Sequence, residues 1–310
     1  MALNFQPYDE NSSRDFYSEL IFDSKTVKML AESGSILTKI KNNLKVPSIE
    51  IGQVLQEDSC DFTPQGDVTQ EDREIYVCKF KINFEECVTE LEDTFEATKM
   101  AAGAMNSDVP SDLQTYILDK IKMGAANEIE TLIWRGDTSV TGNTLLNLCD
   151  GYFKKFLADG TVLDVAATTV TSANVIAEIE KVHEKIPDIL LQKHDDKKIE
   201  LEIMVSTNVM RAYKSALATS SGDANFKLNQ EIVDVNYKGI KVINMPDFGT
   251  NKMVCTFRKN LWFATDLVSD FETLSMIDMR TNTGDDKVRM KGRMMMGVQY
   301  AFGKYIVFYS

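Results

Sequence analysis

The stretch Ser107–Asp137, SDVPSDLQTYILDKIKMGAANEIETLIWRGD, carries a helix start, a helix stop and an apolar period between them. Pro110 suits a first helical turn, where its missing N–H is not needed, and Ser107, Asp108 or Ser111 can accept from the free donors there. Asp112 places negative charge near the positive end of the helix dipole, and Arg135 favours the opposite end. Leu113, Ile117, Ile121, Gly124 and Ala125, then Ile129, Leu132 and Ile133, recur at steps of three and four and form one apolar stripe. Gly136 stops the run. Some two dozen residues rising about 1.5 Å each make a rod of about 36 Å. A rod with one apolar stripe needs sheets along one side, so the chain is predicted to be built around it.

The 310 residues can hold one large domain or two ordinary ones, each with a real core. The net charge of −13 argues against a nucleic-acid-binding surface of the usual basic kind. That charge is uneven. Residues 50–96 hold fourteen Asp/Glu against three Lys/Arg, whereas residues 251–310 hold nine Lys/Arg against six Asp/Glu. Solvated surface would account for both runs; alternatively the two regions meet, within the chain or between chains. The five cysteines, Cys60, Cys78, Cys87, Cys149 and Cys255, include no CxxC pair and sit mostly in apolar strand-like contexts. They are expected to be reduced core thiols of a protein assembled in the cytoplasm. The start, MALNFQPYDENSSRDF, lacks the basic and apolar regions of a signal peptide. No apolar stretch approaches ~20 residues, so no membrane span is expected.

Residues 1–23 are polar and weakly patterned and read as an extended arm, followed by a short helix, Ser24–Glu32, capped by Ser24 and stopped at Gly34. Residues 46–86 read as a long two-stranded hairpin. Ile49 and Ile51 alternate outward, and Tyr76, Cys78, Phe80, Ile82 and Phe84 alternate back against Lys79, Lys81 and Asn83. An acidic tip around Asp58–Asp72, with Pro64 and Gly66, lies between. Residues 87–105 read as helix. From 145 to 250 the pattern is α/β. Thr171 or Ser172 caps a helix with the stripe Val175, Ile176, Ile179, Val182 and Ile186, ended near Pro187. Glu200–Ser206 is a strand, Thr207–Ala218 a helix, Ser220–Asn225 a flexible loop, and Lys238-Gly239 the turn of a hairpin. Met253–Thr265 and Glu272–Arg280 read as strands. In the last strand Val288, Met290, Met294, Met296, Val298 and Tyr300 face one way and Arg289, Lys291 and Arg293 the other.

Signs of catalysis are sparse. His183 borders a helix stripe, and His194 sits in the solvated charge run QKHDDKK; neither has HExxH or HxH spacing. GxSxG, GxGxxG and GxxxxGK[ST] are all missing. Acidic pairs such as Asp195-Asp196, Asp285-Asp286, Asp266 with Asp270, and Glu57-Asp58 with Asp61 are what any acidic chain contains. Met294-Met295-Met296 is adaptable packing material, and Gly292 and Gly297 mark bulges or close backbone approach. No catalytic, metal-binding or cofactor-binding residue is assigned. The positive features are architectural: a rod, a projecting ribbon, an arm, and a unit inserted into a framework.

Two stretches carry a resemblance. IETLIWRGD (Ile129–Asp137) is followed by DGYFKKF (Asp150–Phe156), and KNLWFATDLVSDF (Lys259–Phe271) by VRMKGRMMMGVQYAFGKYIVFY (Val288–Tyr309). With the overall layout, these resemble the major capsid proteins of tailed bacteriophages with the Hong Kong 97-type fold. The resemblance implies an α+β fold. Residues 1–45 would be an N-terminal arm and 46–86 an extended loop lying over the neighbouring subunit. Residues 87–144 and 251–310 would form a peripheral domain with a spine helix, and 145–250 an inserted axial domain. It implies a structural, non-enzymatic protein of the virion capsid, assembled in the host cytoplasm into hexamers and pentamers of an icosahedral shell around the genome.

Its implied partners are further copies of itself, portal, scaffolding or protease proteins during assembly, decoration proteins in some members, and double-stranded DNA packaged without sequence-specific binding. Some members weld subunits by a lysine–asparagine bond from the extended loop. No lysine lies between Lys45 and Lys79 here, so no such bond is expected. No long coiled-coil-like N-terminal segment is present either, which implies a separate scaffold or a removed prosegment. The predicted intersubunit contact sets Glu57, Asp58, Asp61, Asp67, Glu71 and Asp72 of the ribbon against Arg289, Lys291 and Arg293 of a neighbour. The alternative is that those basic residues face solvent or the packaged DNA. An encapsulin-type bacterial compartment shares the fold and is one rival. A carboxylate-dependent hydrolase using Asp266 and Asp270 is another, with no pocket to support it.

Overall fold

The computed structural model describes residues 24–40, 43–52, 54, 55, 57, 58, 66, 68–87, 111–142, 145–219, 235–266, 275–279, 283–285 and 287–310. The first elements are α1 (Lys25–Glu32), β1 (Ile36–Leu37), β2 (Leu44–Ile51), β3 (Val68–Ile75), β4 (Cys78–Cys87), α2 (Ser111–Arg135) and α3 (Tyr152–Ala158). Then come β5 (Leu163–Val165), α4 (Val175–Glu184), α5 (Asp188–Asp195), β6 (Leu201–Ser206), α6 (Thr207–Thr219), β7 (Asn236–Tyr237) and β8 (Ile240–Met245). The chain closes with β9 (Met253–Phe257), β10 (Leu261–Thr265), β11 (Ser275–Asp278), β12 (Lys287–Tyr300) and β13 (Val307–Tyr309).

The predicted rod is α2. Where its side chains are described, Ile129, Leu132, Ile133 and Trp134 are buried, as the three- and four-residue steps require. Leu113 and Ile117 lie on its backbone-only stretch, and Gly124 is exposed. The stripe packs with α1, α3 and the apolar face of β12 in one core that includes Trp134, Tyr152, Phe156, Met290, Met294 and Tyr300. β12 alternates strictly from residue 287 to 294, with Val288, Met290 and Met294 buried and Arg289, Lys291 and Arg293 exposed, as read from the sequence. It is the axle of a five-stranded sheet. β4 runs antiparallel along residues 287–296, while β11 and then β10 occupy the other edge.

The second sheet has six strands in the order β5-β13-β9-β6-β8-β7, with α4 and α6 packed on it. β6 is buried at every residue, which explains the near-continuous apolar run LEIMVS. Its one charge, Glu202, accepts two hydrogen bonds from Arg258, at 2.8 and 2.7 Å. The predicted tight turn forms at Lys238-Gly239, both with positive φ (46° and 87°). The segment 251–310 supplies strands to both sheets, because β9 and β13 join the second one.

Several expectations are corrected. The return strand of the ribbon is β3, paired with β2 from Leu44↔Ile75 to Ile51↔Val68. The more strictly alternating 78–87 leaves the ribbon and lies on β12, where its apolar face finds a core. Met253–Thr265 is two strands in different sheets, broken at 258–260. There the buried Asn260 side chain donates to the Phe302 carbonyl (2.9 Å) and accepts from the Phe302 N–H (2.8 Å), which turns the chain. α4 begins at Val175 without a side-chain cap from Thr171 or Ser172, and Ile176 of its stripe is exposed.

The cysteines are not all reduced: Cys78 and Cys149 form a disulfide, with 5.9 Å between their Cα atoms across 71 residues of sequence. Cys78 sits opposite Met296 in the β4–β12 ladder, and Cys149 lies against the Met296 carbonyl, so folding brings the pair together. Cys255 is a free buried thiol, its pKa pushed up to about 12 by burial. Residues 1–23, 88–105 and 220–225 and Cys60, on which other expectations rest, lie outside the described residues.

Candidate functional site

The ribbon β2–β3 and the outward face of β12 carry the predicted site residues. Glu57 and Asp58 are exposed beyond the end of β2. Asp72 is exposed on β3, 3.8 Å from Lys45 across the ribbon. Glu71 sits opposite Ser48 in the register, and Asp61 and Asp67 lie outside the described residues. On β12 the register sets Arg289, Lys291 and Arg293 opposite Glu85, Asn83 and Lys81 of β4. Glu85 accepts from Lys287 Nζ at 2.7 Å and pairs with Arg289. Hydrogen bonds from Lys287 and Arg289 hold its carboxyl below the usual range. Part of the basic face is therefore neutralised within the chain, by a strand neighbour rather than by the ribbon tip.

The ribbon is rooted by a cluster that the sequence reading missed. Asp159, just past α3, accepts from Arg73 Nη1 of β3 at 2.7 Å and from the Tyr300 hydroxyl at 2.8 Å. Its other oxygen accepts from the Thr161 N–H at 2.9 Å and hydroxyl at 2.7 Å. Burial pushes this carboxyl up, but donors from Thr161, Tyr300 and Arg73 outweigh it and hold it at about 2. The Arg73 guanidinium lies over the Tyr300 ring, 4.5 Å from its centroid. The Gln299 amide donates to the Glu74 carbonyl at 2.8 Å, and Val46 and Ile75 bury into a small cluster with Ile40 and Ala264. At Gly297 a Cβ would collide with the Tyr76 carbonyl, the close approach expected of that glycine. The one signal was Arg73 itself, the lone cation in VTQEDREI.

The two signature stretches meet at the C-terminal end of α2. Gly151 N–H donates to the Gly136 carbonyl at 2.8 Å, and a Cβ on Gly136 would overlap the Cys149 carbonyl, so only glycine fits this crossing. Lys154 bridges Asp137 and Asp150 at 2.8 Å each. Lys155 is half-buried instead; desolvation lowers its pKa to about 8, and its ammonium donates to the Val298 carbonyl. Upstream, Glu130 is 2% exposed. Its carboxylate accepts from the hydroxyls of Ser24 and Thr26 and from the Thr26 N–H at 3.0 Å, capping the free donors of α1. Trp134 Nε1 adds a hydrogen bond to the Thr26 hydroxyl at 2.6 Å.

The side chains weighed for catalysis have structural settings. His194 is not merely part of a solvated run, because its Nδ1 accepts from the Leu201 N–H at 3.2 Å and ties α5 to β6. His183 stands edge-on to Tyr237. Asp266 is buried at the end of β10, bridged to Lys39 through the backbone, and Asp270 lies outside the described residues. Among the described residues no group of three or more His, Cys, Asp or Glu side chains could hold a metal ion. Among them, too, no helix is long and apolar enough to cross a membrane.

No protein-family model matches the sequence, and no curated protein sequence matches it. Solved structures do match. The chain is similar to one in the procapsid of satellite phage P4 including its size determination protein, with 10% identity, a TM-score of 0.60, and 96% of this chain and 98% of that one covered. It is similar to the capsid chain of a native GTA particle at 10% identity and a TM-score of 0.54, covering 91% and 89%. It is also similar to the virus-like particle of Pyrococcus furiosus at 13% identity and a TM-score of 0.50, covering 97% and 98%. Neighbours of this kind are capsid or shell proteins. This chain has the fold of phage capsid proteins.

Proposed function

We propose that the chain is the major capsid protein of a tailed bacteriophage, a structural protein that assembles into hexamers and pentamers of an icosahedral shell. The observation that carries this reading is the near-complete mutual coverage with the P4 procapsid chain, 96% and 98% at a TM-score of 0.60. A shared shell fold over 96% of the chain supports a shared role by fold-level analogy. In this reading residues 1–45 are the N-terminal arm and β2–β3 the extended loop over a neighbouring subunit. Residues 87–144 and 251–310 form the peripheral domain with α2 as its spine, and 145–250 the axial domain. The axial sheet borrows β9 and β13 from the closing segment. Portal, scaffolding or protease proteins and packaged double-stranded DNA complete the assembly, which takes place in the host cytoplasm. Lapping ribbons suit quasi-equivalent contacts because one hinge serves many orientations.

Exposed Glu57, Asp58 and Asp72, with Asp61, Asp67 and Glu71, form the acidic side of an intersubunit contact, and Lys291 and Arg293 its basic side. Arg289 contributes less, since it is already paired with Glu85. The test is negative-stain electron microscopy of the purified protein with size-exclusion chromatography at two ionic strengths. Closed shells, or capsomers that loosen at high salt, are expected. A monomer insensitive to salt at every concentration, even with a scaffold supplied, would sink the proposal. A second reading, an encapsulin-type compartment, draws on the likeness to the Pyrococcus furiosus particle; shells that co-purify with a cargo enzyme instead of DNA would favour it.

A further inference from the structure

Four lysines of this acidic protein gather in one place that the shell reading does not use. Lys25 and Lys28 of α1, Lys214 of α6 and Lys241 of β8 line one open cleft of about 490 Å³, with Glu32 and Arg258 at its end. All four lysines are exposed residues. Glu32 and Arg258 also line a second cleft of about 290 Å³, which continues the tract past Lys197, Lys198 and Lys259. Arg258 is committed to Glu202 and Glu32, and Lys198 to Asp196 at 2.8 Å. Among the described residues Glu32 is the wider cleft's sole acid, so there its lysines outnumber acids in a chain of net charge −13.

The chemistry of the lining indicates the occupant. Lysines are compact point charges on flexible stems, suited to phosphates but not to reading base edges in the bidentate way of arginine. Among the described residues, the lining of the wider cleft holds no aromatic side chain on which an unpaired base could stack. Cationic and, among its described residues, without stacking groups, the wider cleft fits the backbone of a duplex. We propose that this lysine cleft holds the phosphodiester backbone of double-stranded DNA without sequence preference, and that its face of the subunit is turned toward the enclosed genome. The proposal rests on the shell reading above.

The test is fluorescence anisotropy of a random-sequence DNA duplex with the full chain, dissociated from shells, across a salt series. The wild type is expected to bind, with log K falling against log salt by about 0.9 per phosphate contacted. The triple variant Lys28→Glu/Lys214→Glu/Lys241→Glu is expected to weaken binding at least about tenfold at low salt, and its glutamine counterpart to reduce the salt slope by about three. Lys185→Glu, exposed just past α4 and outside both clefts, should leave binding unchanged. Closed shells, whose grooves face inward, should not bind added duplex.

Wild-type subunits that fail to bind overturn the proposal, as do folded triple variants that bind like the wild type, or closed shells that bind as well as subunits. So does a peptide of residues 54–75 that displaces the duplex from the cleft, since the groove would then be a dock for the acidic ribbon. Failure of the shell reading looks different. A protein that binds duplex through these lysines but never assembles would remove the shell and leave the groove.

Discussion

Replacing Asp159 by alanine would test whether the ribbon is held at a fixed angle or merely tethered. The carboxylate takes four donors from three residues, and its side chain is 17% exposed against 20% for Arg73. Without it, the Arg73 guanidinium is left with Tyr300, and its buried Nε already has no hydrogen-bond partner among the described residues. Breaking a buried pair by removing one partner costs roughly 3–5 kcal/mol; with part of each group in water, about 2–4 kcal/mol is expected.

The pH dependence follows from the same carboxyl. Its pKa, about 2 in the folded chain, lies below the unfolded value near 3.8. The stabilisation is therefore complete above about pH 4 and is lost as the pH falls toward 2. The shift is worth at most about 2 kcal/mol, and less after solvent screening. Urea unfolding of the unassembled subunit, followed by fluorescence of the buried Trp134, measures the cost. Hydrogen exchange over residues 44–51 and 68–75 reports whether the ribbon loosens first. Asp159→Ala/Arg73→Met should recover much of the loss, because no buried charge is then left alone. A single variant within about 0.5 kcal/mol of wild type, with unchanged exchange in the ribbon, would refute the reasoning.

Three further outcomes are expected. Glu130→Ala leaves the α1 donors facing a buried void and should cost about 3 kcal/mol, with α1 becoming the first site cut in limited proteolysis; cleavage elsewhere first would contradict this. Cys149→Ser, or a reductant, opens a crosslink spanning 71 residues, for which the chain-entropy model gives about 4 kcal/mol. An unfolding midpoint indifferent to reductant would show that the crosslink does not form. Leu55, 86% exposed near the ribbon tip, should tolerate aspartate within about 0.5 kcal/mol in the unassembled subunit yet weaken shells by about 1 kcal/mol or more per contact. Equal effects on subunit and shell would argue against a lapping ribbon.

What the sequence revealed was local in origin. The period of α2, the alternation of β12, the Ser24 cap and the Lys238-Gly239 turn each follow from spacing within one segment, and each is found. The misread features depend on partners far along the chain. Alternation in 78–87 marks a half-buried strand but does not name its neighbour, which is β12 and not β2. Arg73 and Asp159, or Cys78 and Cys149, carry no sign of each other until two sheets bring them together. Glu130 was readable in principle. It stands four residues after Ala126 and three before Ile133, both buried, so the helical period placed an acid on the apolar face. A charge on such a face is a request for donors, and α1 supplies them.

The same distinction between local pattern and distant partner governs the charges. A net charge of −13 predicts repulsion from nucleic acid only if the charge is spread evenly, because screening limits each group's reach to about 10 Å. In the folded subunit it is not spread evenly. Exposed Glu57, Asp58 and Asp72 belong to the ribbon β2–β3 and the stretch beyond β2, whereas Lys25, Lys28, Lys214 and Lys241 come from three separate elements to line one cleft. Each lysine alone looks like ordinary surface, and only the packing of α1 beside α6 and β8 makes them a group. The fold thus sorts an acidic sequence into a negative projection and a positive groove. A shell subunit that must meet neighbours on one face and a polyanion on another requires that separation.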